Sequence, residues 1–172
     1  MHKRALIFGL IYSLLVIGFK AFLQVGHYYT STFGFALSHI TSVLFIIPFM
    51  IVLLITVKKK EFDGVIAGRE AMRIGLTMVA IAAIVTTAYN YFEISRYGKE
   101  MAEAYYNGDR FKLFLIKKVP DITKHAAIIT ENIRMATEEN TPFIAATVKL
   151  LPLLFIGGSA AFLTSVFIKR SK

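Results

Sequence analysis

Four long apolar runs constrain this chain more than any other feature: residues 5–25, 35–57, 74–92 and 143–168. Each supplies the ~20 predominantly apolar residues that a helix needs to cross a bilayer. A soluble domain of 172 residues could not hide four such runs, although 56% of the chain is hydrophobic. The expected fold is therefore all-α: one integral membrane domain with four transmembrane helices and a long polar insertion, residues 93–142, between spans three and four.

Charge sets the threading. Lys3 and Arg4 precede span one. Lys58, Lys59 and Lys60 follow span two, Arg69 and Arg73 lead into span three, and Lys169, Arg170 and Lys172 follow span four. The loop at residues 26–34 has no Lys or Arg. Cytoplasmic loops carry the excess of Lys and Arg, so both termini are expected in the cytoplasm and residues 93–142 outside. The basic residues of that outer segment are matched by an equal number of acidic ones. Seven of the eight tyrosines (Tyr28, Tyr29, Tyr89, Tyr91, Tyr97, Tyr105 and Tyr106) fall on the same outer side. Rings with a polar tip suit the headgroup level there. The start, His2-Lys3-Arg4 before an apolar run, has the form of a signal peptide. No small-x-small cleavage site follows, so a retained first span is expected.

Several chemistries are excluded or disfavoured. The chain has no cysteine, hence no disulfide, thiolate metal site or cysteine nucleophile. His2, His27, His39 and His125 are scattered and form no helical pair with a carboxylate, which argues against zinc. The net charge of +9 lies at span ends and not in a separate basic module, so no nucleic-acid partner is expected. There is no phosphate loop, dinucleotide glycine pattern or nucleophile elbow. Gly64-x-x-x-Gly68 reads as a turn. No cofactor and no enzymatic activity are expected.

Within the outer segment, good helix formers from Glu93 to Tyr106 extend span three, and Asn107-Gly108-Asp109 marks a turn. Residues 110–119, an apolar stretch edged by lysines, suit a helix lying in the outer interface. Pro120 is expected to open a further helix. On it, Ile122, Ala126, Ile129, Ile133 and Ala136 make an apolar stripe, with Lys124, Glu131, Arg134 and Glu138 largely off it. The stripe has two candidate partners: the extended end of span three, giving an extracytoplasmic helical hairpin, or a second protein. Asn140-Thr141-Pro142 supplies a cap and a first-turn proline for span four.

Helices in lipid associate through small residues. Span four carries Gly157, Ala161 and Ser165 four residues apart, with Gly158 beside them. Span one offers Gly9 and Ser13, and span three Gly75, Ala82 and Thr86. These faces could close a four-helix bundle, a homo-oligomer or a contact with another membrane protein. Pro48 and Pro152 should bend spans two and four locally. A faint repeat, Ala5-x-x-x-Gly9-Leu10 and Ala71-x-x-x-Gly75-Leu76, enters spans one and three.

Ionisable residues in spans are candidate functional groups. Lys20, Asn90, Glu93 and Lys149 fall at similar depth near the outer interface, where they could form a polar cluster for an anionic headgroup or small anion. The alternative is that each lysine snorkels to the interface on its own.

With two spans, a basic loop and Gly68-Arg69-Glu70-Ala71-Met72-Arg73-Ile74-Gly75 leading into span three, the chain resembles the DUF4199-type family of small bacterial membrane proteins, frequent in Bacteroidetes. The charged helical outer segment and the Gly/Ala-rich last span fit as well. The resemblance implies a four-span inner-membrane protein and transfers no catalytic residue or ligand. The leading functional expectation is a non-enzymatic accessory or scaffold subunit acting through helix and extracytoplasmic contacts. The alternative is a small oligomeric transporter or a lipid- or anion-binding protein.

Overall fold

One long helix organises the computed structural model of the chain, which describes residues 2–26, 28, 37, 40, 41, 43, 45–139 and 141–168. The described elements are all helical: α1 (Lys3–Val25), α2 (Ile46–Glu61), α3 (Gly68–Tyr106), α4 (Asp109–Lys118), α5 (His125–Arg134) and α6 (Pro142–Ile168). A 3-10 turn, Ile122–Lys124, precedes α5, and a π turn, Met135–Glu139, follows it. At 1.5 Å per residue, the 39 residues of α3 extend for roughly 58 Å, about twice the ~30 Å hydrocarbon core of a bilayer. α3 packs most extensively on α6 and then on α1, while α2 touches α6, α1 and α3.

Three helices, α1, α3 and α6, are long and apolar enough to cross a membrane. The first part of the expected second span, 35–57, lies largely outside the described residues. Its described part belongs to α2, which runs past Val57 to Glu61. His27, Tyr29, His39 and Asn140 also lie outside them. Pro48 sits in the first turn of α2 as described, and Pro152 lies inside an uninterrupted α6.

The outer surface of the helices is as apolar as the core, unlike that of a water-soluble protein. Along α1 the inward stripe is Ala5, Gly9, Tyr12, Ser13, Val16, Lys20 and Leu23, while Leu14 and Leu15 face outward. Phe155 and Phe167 of α6 are each 77% exposed, whereas Ser13, Thr86 and Ser165 are buried. The core holds large apolar side chains too, Ile46, Met50, Leu53, Leu54, Ile74 and Met78, so large apolar residues lie both inside and outside, as expected when the surrounding medium is hydrocarbon. The buried hydroxyls are satisfied within their own helices: Ser13 Oγ donates to Gly9 O at 2.8 Å, Thr86 Oγ1 to Ala82 O at 2.7 Å and Ser165 Oγ to Phe162 O at 2.7 Å.

Close helix approach depends on glycine. A Cβ at Gly75 would lie 2.8 Å from both Ala161 Cβ and Met50 Sδ, one at Gly157 2.8 Å from Val79 Cγ1, and one at Gly9 3.0 Å from the Ile81 side chain. The small face of α6 is thus buried against α3 within a single copy of the chain. Gly158 is off this seam, with Leu76 Cδ2 4.0 Å away as its nearest neighbour.

One end of the bundle is tied by charge. Arg4 Nε and His2 Nε2 both pair with Glu61, and Lys58 Nζ donates to Ile168 O at 2.9 Å. The start of α1 and the ends of α2 and α6 therefore meet in one layer, called here the basic end. The α2–α3 connection turns at Asp63 and Gly64, both with positive φ, and Gly64 at φ +86° adopts the left-handed conformation that favours glycine.

Beyond the bundle, α3 continues unbroken through Glu93–Tyr106, and α5 and the π turn pack against it. Pro120 does not open α5. Asp121 caps the 3-10 turn instead, accepting from Thr123 N at 3.1 Å, and the α-helix begins at His125. An aspartate side chain can satisfy an otherwise unpaired first-turn N–H, and proline cannot. The apolar stripe of Ile122–Ala136 is accordingly divided among a 3-10, an α and a π segment rather than one helix. At α6 the described cap is Thr141, whose Oγ1 accepts from Ile144 N at 3.4 Å.

Candidate functional site

At the end of the bundle remote from Glu61, a buried ionic network joins three helices. Lys20 of α1 is on the inward stripe one turn beyond Val16, Asn90 and Glu93 are on the inward face of α3 one turn apart, and Lys149 comes from α6. Lys20 Nζ donates to Asn90 Oδ1 at 2.6 Å and to Glu93 Oε2 at 3.0 Å. Lys149 Nζ stands 4.0 Å from the same Glu93 oxygen. The four residues that depth alone placed at one level are therefore side by side, and Lys20 does not reach outward on its own.

Two further members belong to the network. Gln24 Nε2 donates to Glu93 Oε1 at 2.9 Å, and Tyr89 OH donates to Gln24 Oε1 at the long distance of 3.5 Å. The Tyr89 ring also lies 5.9 Å from Lys20 Nζ, within cation–π range. In the sequence Tyr89 stands out only as one of the outer-side tyrosines, and Gln24 not at all. The signal was present, because Gln24 lies four residues after Lys20 and Tyr89 four before Glu93, each on the same helical face as its partner.

Burial makes the arrangement consequential. The side chains of Lys20 and Glu93 are 3% and 2% exposed, whereas that of Lys149 is 21% exposed. A buried charge is tolerated when it is paired and hydrogen-bonded. Both carboxylate oxygens of Glu93 are engaged, so the Lys20–Glu93 pair is well satisfied. Two ammonium groups nevertheless share one carboxylate, which leaves the cluster with a surplus positive charge when all three groups are ionised. Chemically, the site can hold helices in register and can attract an anion. It shows no nucleophile activated by an adjacent base. Among the described residues, no three His, Asp or Glu side chains come together to hold a metal.

The small residues named from the sequence fall elsewhere. Gly9, Gly75, Gly157 and Ala161 line the tight helix seams, Ser13 and Ser165 are buried beside them, and Gly158 stands apart.

No curated protein and no solved structure matches the chain. A family model described as "Protein of unknown function (DUF4199)" matches residues 3–170, nearly the whole chain, and the chain belongs to that family.

Proposed function

We propose that the chain is a non-enzymatic four-span protein of a bacterial inner membrane that binds an anionic group at the outer end of its helical bundle. Both termini lie in the cytoplasm and residues 93–142 lie outside. Four spans are supported by the charge pairing of Arg4 with Glu61, which brings α2 back to the side where α1 starts. At 16 residues α2 as described covers about 24 Å, most of a ~30 Å hydrocarbon core. The orientation is supported by the basic residues gathered at that end. The observation that carries the binding role is the sharing of one buried carboxylate, Glu93, by Lys20 and Lys149.

The test is native mass spectrometry of the gently purified protein. Wild type is expected to retain an anionic adduct that the double variant Lys20→Met/Lys149→Met lacks. Equal adducts on both proteins would remove the site from the binding role.

A second reading, the accessory or scaffold subunit, draws on α4. Leu113, Phe114 and Ile116 are exposed there beside Lys112, Lys117 and Lys118, and only Leu115 is buried. Because α3 extends about 20 Å past Glu93 to Tyr106, α4 starts well beyond the cluster, where a partner protein could cover it. The small-residue face of α6 does not serve this reading, since α3 occupies it. In-membrane crosslinking with recovery of one stoichiometric partner through α4 would favour it, and recovery of this chain alone would not.

A further inference from the structure

Resting on the anion-binding reading, we infer that Lys149 is the ligand-taking group of the cluster, that Lys20 is its fixed frame, and that the ligand is the phosphate-bearing headgroup of an anionic lipid reached from the lipid side of α6. The two lysines are not equivalent. An ammonium has three N–H donors. Lys20 directs its donors at Asn90 and Glu93, has the Tyr89 ring nearby and is almost wholly buried. Lys149 reaches only a 4.0 Å ion pair, too long for a hydrogen bond, with an oxygen that already accepts from Lys20. Its donors are therefore available for a further acceptor, and its side chain is open at one side.

The opening faces the right medium at the right height. On one flank of Lys149, Val148 and Pro152 are exposed and in a membrane meet lipid, while Ala146 and Leu153 on its other flank are buried. From Ile168 at the basic end, the helix rises about 28 Å to Lys149 at 1.5 Å per residue. A hydrocarbon core of ~30 Å thus puts the ammonium beside the lipid phosphate plane. A phosphate there accepts charge-assisted hydrogen bonds from Lys149 and balances the surplus positive charge, while Glu93 remains paired with Lys20.

The experiment uses the full-length protein in mild detergent, with native mass spectrometry and thermal-shift titrations in three arms: phosphatidylglycerol, phosphatidylcholine and inorganic phosphate. Phosphatidylglycerol is expected to bind and raise the melting temperature, with phosphatidylcholine and inorganic phosphate at least tenfold weaker. Lys149→Met should lose at least tenfold in phosphatidylglycerol affinity while keeping wild-type helicity and lipid-free stability, because Glu93 keeps Lys20. Lys149→Arg should retain binding. Undiminished phosphatidylglycerol binding by Lys149→Met would overturn the assignment to Lys149 and leave the anion reading standing. Equal binding of phosphatidylcholine, or inorganic phosphate matching the lipid, would overturn the anionic-lipid ligand. Failure of wild type to bind in every arm would overturn both readings.

Discussion

Glu93 is the residue through which α1, α3 and α6 are joined by charge, and its removal is the most damaging single change to the cluster. Breaking a buried ion pair by deleting one partner costs about 3–5 kcal/mol, because the other charge stays buried without compensation. Glu93→Leu strands two ammonium groups and is expected at the upper end of that range. Lys20→Met should cost less, since Lys149 is within reach of the freed carboxylate, and Lys149→Met least. Thermal unfolding in detergent checks the order, and a Lys149→Met protein less stable than Glu93→Leu would contradict it. The depth of Lys20, Asn90, Glu93 and Lys149 was legible because residue number along a spanning helix measures height. Their pairing was not, because the azimuth of each helix is set by packing. Gln24 was overlooked, and Tyr89 was read only as an interfacial ring, because uncharged polar residues near a span end point to no partner until a charge is found beside them. At the basic end, the three lysines stood out in the sequence but Glu61 did not, because only packing reveals His2 and Arg4 as its partners.

Among the elements, the α3–α6 seam has the least room for change. A leucine at Gly157 would meet Val79 at a distance that side chains cannot adopt, and overpacking of this kind costs typically 1–3 kcal/mol or more. Gly157→Leu is therefore expected to lower the thermal stability of the individual chain by that amount, whereas Gly158→Ala, where a Cβ would meet Leu76 at an ordinary 4.0 Å, should leave it within about 0.5 kcal/mol of wild type. A Gly157→Leu protein that melts like wild type but changes only its assembly size would contradict the internal seam. The four-residue spacing of small side chains showed that α6 has a close-packing face, but not that α3 covers it, since spacing is blind to the partner. The start of α5 shows another limit. Pro120 and Asp121 both suit a helix start, and the hydrogen bond from the Thr123 hydroxyl, first among several contacts, holds the Asp121 carboxyl below its usual 3.8. A lowered folded pKa means that the cap is in place above the ordinary aspartate value and is lost as pH falls through the lowered one. Amide exchange at Thr123 is accordingly expected to quicken, after correction for intrinsic rates, only below about pH 3.8 and at all pH values in Asp121→Ala. Corrected exchange that does not respond to either change would remove the cap.

For the whole molecule, the apolar exterior and the three long apolar helices suit a membrane, and the ionic cluster sits at the end of the bundle opposite the basic end. The helical class, the extension of span three to Tyr106 and the turn at Asn107-Gly108 could all be read from composition and local propensity. The division of residues 122–139 into 3-10, α and π segments could not, because it depends on how that stretch fits against α3. The most direct measurement follows from the absence of cysteine, which gives a background free of native thiols. Single cysteines at Lys3, Lys59 and Lys117 would be labelled in intact cells with a membrane-impermeant maleimide. Four spans require Lys117→Cys to label from outside, with Lys3→Cys and Lys59→Cys labelling only after permeabilisation. Labelling of Lys3→Cys and Lys59→Cys from opposite sides would mean that α2 does not complete a crossing, and would contradict the four-span bundle.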